Sequence, residues 1–148
     1  MSRVLVTGMS GAGKSTILEE LRRRGLLAVD TDDPGWAMPD GTWDESRMGR
    51  LLARHQDVVV SGTVENQAHF YDRFEHIVLL SAPLAVLMQR LRDRTNNPYG
   101  KSTAERAETA HYVETVEPLL RRGATVELDG RRPVAELADA VEHLVSTP

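Results

Sequence analysis

The sequence predicts an α/β fold of the doubly wound kind, with a five-stranded parallel sheet between helices. Short apolar runs recur five times along the chain, and amphipathic helical patterns lie between them. Continuous runs rich in valine and leucine are typical of strands that are buried on both faces of a parallel sheet. A chain of 148 residues suits one compact domain, so we expect a single domain over residues 1–148.

The candidate strands are the apolar runs themselves. In chain order they are RVLVT (3–7), LLAV (26–29), DVVVS (57–61), HIVLL (76–80) and ATVEL (124–128). Strands that alternate with helices form a sheet whose ligands bind at the carboxyl ends of the strands. Functional residues are therefore expected in the segments that follow the strands.

The first two helices are indicated by an apolar face and by end signals. Apolar residues over 17–21 share one helix face, and Gly25 is placed to end that helix after a run of arginines. Thr42 and Glu45 match a capping box, so the second helix is expected to begin there.

The remaining helices follow the same rules. Residues 84–91 carry apolar side chains at helical spacing, and residues 134–145 do so again at the end of the chain. Ser102 and Glu105 form a second capping box, which predicts a long helix from that point. Pro118 falls inside this pattern, so we expect a kink or a break there.

Bulk composition excludes several classes of protein. The net charge of −4 disfavours a nucleic-acid binder that acts by neutralising phosphates, and the absence of cysteine excludes disulfides and thiolate metal sites. Neither a signal peptide nor a membrane-spanning segment is recognised. We expect a cytoplasmic monomer or weak homodimer without nucleic-acid or membrane partners.

One motif carries specific chemistry. Gly8, Gly13, Lys14 and Ser15 satisfy G-x-x-x-x-G-K-[ST], a pattern that chance produces about once in 30,000 starting positions. A predicted strand precedes it and a predicted helix follows, so backbone N–H groups can converge on phosphate oxygens. Lys14 is expected at the β- and γ-phosphates, and the Ser15 hydroxyl at Mg²⁺. The predicted nucleotide-binding residues of this loop are Gly8, Ser10, Gly11, Ala12, Gly13, Lys14, Ser15 and Thr16.

Three segments together resemble the small P-loop kinases of the shikimate kinase, gluconate kinase and adenylate kinase group. They are GMSGAGKST at 8–16, DTD at 30–32 and RLRDRTNNPYGK at 90–101. The resemblance implies the P-loop NTPase fold, three α/β/α layers with a five-stranded parallel sheet of order 2-3-1-4-5. It also implies a lid over about 92–103, an acceptor-binding region over about 31–55, and phosphoryl transfer from ATP with Mg²⁺ as cofactor.

The DTD segment follows the second predicted strand. The resemblance implies that Asp30 lies in the Mg²⁺ shell and that Asp32 binds or deprotonates the acceptor hydroxyl. The alternative is a solvated acidic turn ahead of Pro34. The third strand has no acid at its tip, and no Asn-Lys-x-Asp segment is present, which disfavours a motor or a GTP switch.

Arginines follow the fourth strand. Arg90 and Arg94 are four residues apart, and both are predicted to stabilise the transferred phosphoryl group, Arg90 also contacting the nucleotide. The alternative for both is a solvated helix face. In DGRRPVAEL, which resembles the adenine-binding loop of these kinases, Arg131 is our candidate for stacking on the base and Arg132 is equally eligible.

The acceptor is not identified by the sequence. The loop over 33–43 offers Trp36, Met38 and Trp43 as acceptor contacts, and Ser-Gly-Thr stands at 61–63 where shikimate kinases have a glycine triplet. Shikimate is therefore disfavoured. A nucleoside or nucleoside-monophosphate kinase is the alternative enzyme, and an ATP-binding sensor with little turnover is the alternative of another class.

Overall fold

The computed structural model describes residues 1–94 and 99–147. Residues 95–98, in the middle of the predicted lid, lie outside the described residues. Five strands form one sheet, and every pairing between neighbours is parallel. The order is β2-β3-β1-β4-β5, as predicted. The strands are β1 (Arg3–Thr7), β2 (Ala28–Asp30), β3 (Val58–Ser61), β4 (His76–Ser81) and β5 (Val126–Asp129).

The register of the sheet aligns the carboxyl ends of three strands. Ser61, the last residue of β3, pairs with Val6 of β1 on one side and with Asp30 of β2 on the other. On the opposite side of β1, Thr7 pairs with Leu79. The segments that follow β1, β2 and β3 therefore leave the sheet at one edge, where ligands bind in this class of fold.

Helices lie on both faces of the sheet. They are α1 (Lys14–Arg23), α2 (Glu45–Arg54), α3 (Leu84–Asp93), α4 (Thr103–Thr115), α5 (Glu117–Gly123) and α6 (Val134–Ser146). A 3₁₀ helix over Gln67–Arg73 was not predicted. Within residues 1–94 and 99–147, no helix has the length and apolar character that crossing a bilayer requires.

Successive residues of β1 supply two separate cores. Val4 and Val6 pack in one cluster with the apolar faces of α1 and α6. Leu5 belongs to the other cluster, which contains Met48 and Leu52 of α2. Because side chains alternate along a strand, the apolar run of β1 is buried on both faces.

Several local end signals are confirmed. Gly25 has a φ of 87°, and its N–H donates to the carbonyl of Arg22 at 3.0 Å, which closes α1 as predicted. The Ser102 hydroxyl accepts from the N–H of Glu105 at 3.1 Å at the start of α4. The predicted break occurs between α4 and α5, with Pro118 in the first turn of α5.

The predicted cap of the second helix is wrong. Asp44 caps α2 by accepting from the N–H of Arg47 at 3.1 Å. Thr42 instead donates both its N–H and its hydroxyl to Asp40, at 3.0 and 2.6 Å. Both polar groups of Thr42 are therefore used in a turn with Asp40, and α2 begins at Glu45, directly after its cap Asp44.

The two tryptophans of the loop over 33–43 are buried, although the sequence suggested that they contact the acceptor. Trp43 is 1% exposed, and its indole N–H donates to the Thr31 hydroxyl at 3.0 Å. Trp36 is covered by the Arg47 guanidinium, 4.0 Å from its ring centre. A bridge between Ala37 and Trp43 folds the loop back, so both indoles stabilise it.

Candidate active site

The loop between β1 and α1 is held in shape by glycines. Gly13 has a φ of 106°, a left-handed conformation that favours glycine, immediately before α1 begins at Lys14. A Cβ on Gly8 would lie 2.3 Å from the carbonyl oxygen of Leu80, so this part of the loop packs directly on the backbone of β4. The motif thus has the strand–loop–helix setting that phosphate binding requires.

Lys14 lies folded over its own loop. Its Nζ donates to the carbonyl oxygens of Gly8 at 2.5 Å and Met9 at 3.3 Å. Burial lowers the pKa of Lys14 to about 8, while Asp32 and Asp30 act in the opposite direction. The ammonium therefore has backbone partners, and an added phosphate charge at this position would stabilise its protonated form.

Ser15 and Asp30 are joined by a hydrogen bond. The Ser15 hydroxyl donates to Asp30 Oδ2 at 2.8 Å, and Asp30 Oδ1 accepts from the N–H of Asp32 at 3.0 Å. Asp30 is 9% exposed, so the second strand holds its carboxylate firmly beside the loop. The Asp30 carboxylate therefore lies beside the hydroxyl of Ser15, the other predicted Mg²⁺ ligand.

The chemistry of this pair fits Mg²⁺. Both Ser15 and Asp30 offer oxygen ligands, which a hard cation prefers, and Mg²⁺ usually keeps several waters and binds substrate phosphates beside one or two carboxylates. The described ranges 1–94 and 99–147 contain no group of three or more His, Asp or Glu residues able to hold a metal. With their two oxygen ligands, Ser15 and Asp30 fit a metal that also binds substrate phosphates.

Asp32 lies at the exposed rim of the site, two residues beyond Asp30. Among the described residues its side chain has no hydrogen-bond partner, in contrast to that of Asp30. Burial raises the pKa of Asp32, as does the neighbouring Asp30, while Lys14 and Arg94 oppose the shift. A carboxylate with a raised pKa and no fixed partner suits proton transfer.

Two cavities adjoin the loop. The first has a volume of about 360 Å³ and lies between the loop, the end of α3 and the turn before α6. The second has a volume of about 700 Å³ and extends towards α4, α5 and the segment after β3. Ser10, Lys14 and Asp32 line both of them, so the two cavities meet at two of the four predicted catalytic residues, Lys14 and Asp32.

Arg90 joins the loop to the turn after β5. Its Nη1 donates to the carbonyl oxygens of Gly11 and Ala12, each at 3.2 Å, and its Nη2 donates to that of Gly130 at 2.7 Å. A Cβ on Gly130 would lie 2.8 Å from the Ala12 oxygen, so the two segments are closely packed. Arg90 lines the first cavity, but its guanidinium is engaged with backbone carbonyls.

Arg94 lies just beyond the last helical residue of α3, so it is not on the helix face that its spacing from Arg90 suggested. Its Nε and Nη2 donate to the carbonyl oxygen of Tyr99, at 3.2 and 2.6 Å. Burial lowers the pKa of Arg94, and Asp32 opposes this shift. Arg94 nevertheless lines the first cavity together with Arg90.

The two arginines before α6 are in different places. Arg131 forms an ion pair with Asp129, with Nη2 and Oδ2 2.8 Å apart, and lines a separate cavity beyond β5. Arg132 lines the first cavity, and its Nε donates to Glu136 at 3.3 Å. Of the two candidates that the sequence left open, the geometry therefore favours Arg132 over our choice of Arg131.

Thr63 contacts the phosphate loop, a role that was not predicted from the sequence. Its hydroxyl donates to the Gly8 carbonyl at 2.7 Å, and it accepts from the Gly8 N–H at 3.2 Å. Thr7 connects Thr63 to Gln67, at 3.0 and 3.1 Å respectively. The available signal was the mostly polar run SGTVENQ, which begins at the last residue of a buried strand, because that strand ends at the same edge as the loop.

Solved structures similar to this chain include three kinases. Shikimate kinase from Acinetobacter baumannii in complex with shikimate has a TM-score of 0.69 at 21% identity, over 98% of this chain and 93% of that one. A gluconokinase from Sinorhizobium meliloti has a TM-score of 0.61 at 19% identity, over 97% and 91%. Deoxyadenosine kinase from M. mycoides with bound dATP has a TM-score of 0.64 at 14% identity, over 99% and 100%. At these identities the likeness shows a common fold.

Sequence comparison assigns the family. A search of the curated proteins finds no match. The family model described as an AAA domain matches residues 4–111, which include the phosphate loop, Asp30, Asp32, Arg90 and Arg94. Because this match spans most of the chain, the protein belongs to the AAA domain family of P-loop proteins.

Proposed function

We propose that this protein transfers the γ-phosphoryl group of ATP to a hydroxyl group of a small molecule. The observation that carries the proposal is the meeting of two cavities at Lys14 and Asp32. A phosphotransferase needs one space for the donor and another for the acceptor, with catalytic side chains between them. A protein that only senses ATP has no need of the second space.

ATP occupies the first cavity in this proposal. Backbone N–H groups of the loop and the start of α1 bind its phosphates, and Lys14 bonds to the β- and γ-phosphates. Arg132 stacks on the adenine, in place of Arg131. Ser15 and Asp30 would hold Mg²⁺, which would neutralise charge on the phosphate oxygens.

The reaction is a direct displacement at phosphorus. The acceptor hydroxyl oxygen forms a bond to the γ-phosphorus, and the bond from that phosphorus to the β,γ-bridging oxygen breaks. The bridging oxygen keeps the electron pair and leaves as part of ADP, while the hydroxyl proton passes to Asp32. Arg94 stabilises the negative charge on the moving group, and Arg90 holds the loop that binds the donor phosphates.

The solved structures support a kinase but not one acceptor. Their names identify a shikimate kinase, a gluconokinase and a deoxyadenosine kinase, which share phosphoryl transfer and differ in the acceptor. A nucleoside or nucleoside-monophosphate kinase is the second candidate. Its support is the presence of Tyr71, Tyr99 and Tyr112 around the second cavity, because aromatic rings can stack on a base.

Two measurements test the proposal. Calorimetry with Mg·ATP should show binding, and an acceptor panel should yield one product that carries an added phosphoryl group by mass spectrometry. ATP binding without any acceptor-dependent product would favour the sensor. Absence of ATP binding to the folded wild-type protein would contradict both functions.

A further inference from the structure

The second cavity is strongly acidic. Asp32, Asp40, Glu65 and Glu108 line it, and within the described parts of the chain Lys14 is its only cationic lining residue. Lys14 stands at the junction with the first cavity, where its ammonium faces the donor phosphates in the proposed function. Among the described residues, the remainder of the second cavity is therefore lined by carboxylates and by no basic side chain.

These carboxylates come from separate parts of the fold. Asp32 and Asp40 belong to the loop after β2, Glu65 follows β3, and Glu108 lies on α4. They converge on a space that opens directly onto the phosphate loop, so tertiary structure has gathered them around a cavity large enough for a small molecule.

Aromatic rings accompany the acids. Glu108 and Tyr112 are four residues apart on α4, so they lie on one helix face, and both line the cavity. The Tyr99 hydroxyl donates to Glu108 Oε1 at 2.6 Å, which orients that carboxylate. Tyr71 lines the cavity too, and its hydroxyl accepts from Gln67 at 2.9 Å. Carboxylates beside tyrosine rings form a setting that attracts ammonium groups.

The side of the cavity formed by α5 is different. Val116, Leu119 and Leu120 line it with apolar side chains. A carbon skeleton can pack against this surface while polar groups of the same molecule reach the carboxylates. The cavity thus combines an apolar side, an acidic rim and the catalytic junction.

We infer that the acceptor is a hydroxylated amine that is protonated at neutral pH. The inference rests on the proposed function and adds the chemical class of the acceptor. The hydroxyl lies near Asp32 and Lys14, the carbon skeleton contacts α5, and the ammonium group lies among Glu65, Glu108 and Tyr112. A carboxylic acid is disfavoured, because its charge would face the carboxylates that line this cavity.

Matched acceptors test this inference. Hexose and cyclitol sets, each with an amino member, a neutral hydroxyl member and a carboxylate member, are assayed for phosphorylated product with Mg·ATP. The amino members should have a kcat/KM at least about tenfold above their neutral counterparts, and the carboxylate members should be the poorest. This ratio corresponds to a few partly exposed charge contacts acting together.

Two variants test where the ammonium group of the acceptor binds. Glu65→Gln and Glu108→Gln should each raise the KM of the amino acceptor about 3- to 5-fold and change that of the neutral acceptor by a smaller factor. Glu114→Gln is the matched control, because Glu114 is exposed on the same helix and is not among the residues that line the cavity. Both variants should bind Mg·ATP like the wild type.

Direct binding measurements distinguish a failure of this inference from a failure of the proposed phosphotransferase function. Each acceptor is titrated into the protein saturated with Mg²⁺ and a nonhydrolysable ATP analogue. An amine that binds but is never phosphorylated supports the acidic cavity and contradicts the phosphotransferase. Phosphorylation of neutral or carboxylate members as efficient as that of amines overturns the inference and leaves the phosphotransferase intact. Absence of amine binding in both sets also overturns the inference.

Discussion

The two cavities beside Lys14 are built in different ways. The first is lined mainly by one continuous stretch, from Ser10 to Ile17, and is completed by residues from α3 and the turn before α6. The second is lined by residues scattered from Gly8 to Leu120. A site formed by a continuous motif is visible in one sequence, whereas a site assembled from scattered residues depends on how the chain folds.

The two cavities also differ in how firmly hydrogen bonds hold their polar side chains. Around the first cavity, the Ser15 hydroxyl donates a hydrogen bond to Asp30, and the Arg90 guanidinium donates hydrogen bonds to backbone carbonyls. At the junction, Asp32 has no side-chain partner among the described residues. In the proposed function, the first cavity is therefore preorganised for the donor, and the second holds the groups that select the acceptor.

Lys14→Ala should have the largest effect. It removes the cation at the junction, and we expect phosphoryl transfer to fall by about three orders of magnitude or more, as for loss of a preorganised charge contact. Circular dichroism should show an intact fold. Lys101→Ala is the control, because the Lys101 ammonium bonds to the Arg92 carbonyl and Lys101 lines neither cavity. Equal activity of the two variants would contradict our account of the junction.

Asp32→Asn tests the acceptor side of the junction. Loss of a general base typically costs about 10²- to 10⁴-fold in turnover, and we expect kcat to fall within that range. ATP affinity by calorimetry should stay close to that of the wild type. Asp33→Asn is the matched control, since Asp33 pairs with Arg22 at 3.8 Å and lines neither cavity. If both variants kept full activity, the segment would be no more than an acidic turn.

Arg94→Ala separates transition-state stabilisation from binding of the donor. We expect kcat to fall by about 10²- to 10³-fold while the Kd of ATP changes less than about tenfold. Arg92→Ala provides the comparison, because the Arg92 side chain is exposed and donates to Gln89. A selective loss of ATP affinity in Arg94→Ala would assign this arginine to nucleotide binding.

The pH dependence of ATP binding should reflect the lowered pKa of Lys14. Since burial lowers its pKa to about 8, the ammonium is present below that pH in the free protein and is lost as pH rises above it. ATP binds the protonated form, so its Kd should rise about tenfold between pH 7 and pH 9, measured by calorimetry. A Kd that is constant over this range would mean that Lys14 keeps its proton throughout.

Arg132→Ala should have the smallest of these effects. Loss of a stacking contact should raise the KM of ATP about 3- to 10-fold without lowering kcat. Arg131→Ala, which breaks the pair with Asp129, should leave both constants unchanged. The opposite result would restore Arg131 as the adenine contact and would require the turn before α6 to rearrange when ATP binds.

The phosphate loop and several helix ends could be predicted from the sequence alone, whereas the strand order was implied by the resemblance to small P-loop kinases. Gly13 precedes a helix in a conformation that glycine favours, and Ser102 caps α4 through an N–H three residues away. Such features depend on groups within a few residues of one another, so sequence spacing specifies them. The position of Asp30 beside Ser15 also follows, because parallel strands bring their carboxyl ends to one edge.

Features in which several side chains compete for the same partner became visible only in the folded structure. Thr42 has the spacing of a cap, but Asp40 binds its polar groups and Asp44 caps the helix instead. Arg131 and Arg132 are adjacent and alike, yet Asp129 holds the first and leaves the second at the cavity. The acidic second cavity could not be predicted for a different reason. Its carboxylates lie far apart in the chain, and spacing alone does not show which side chains share a space.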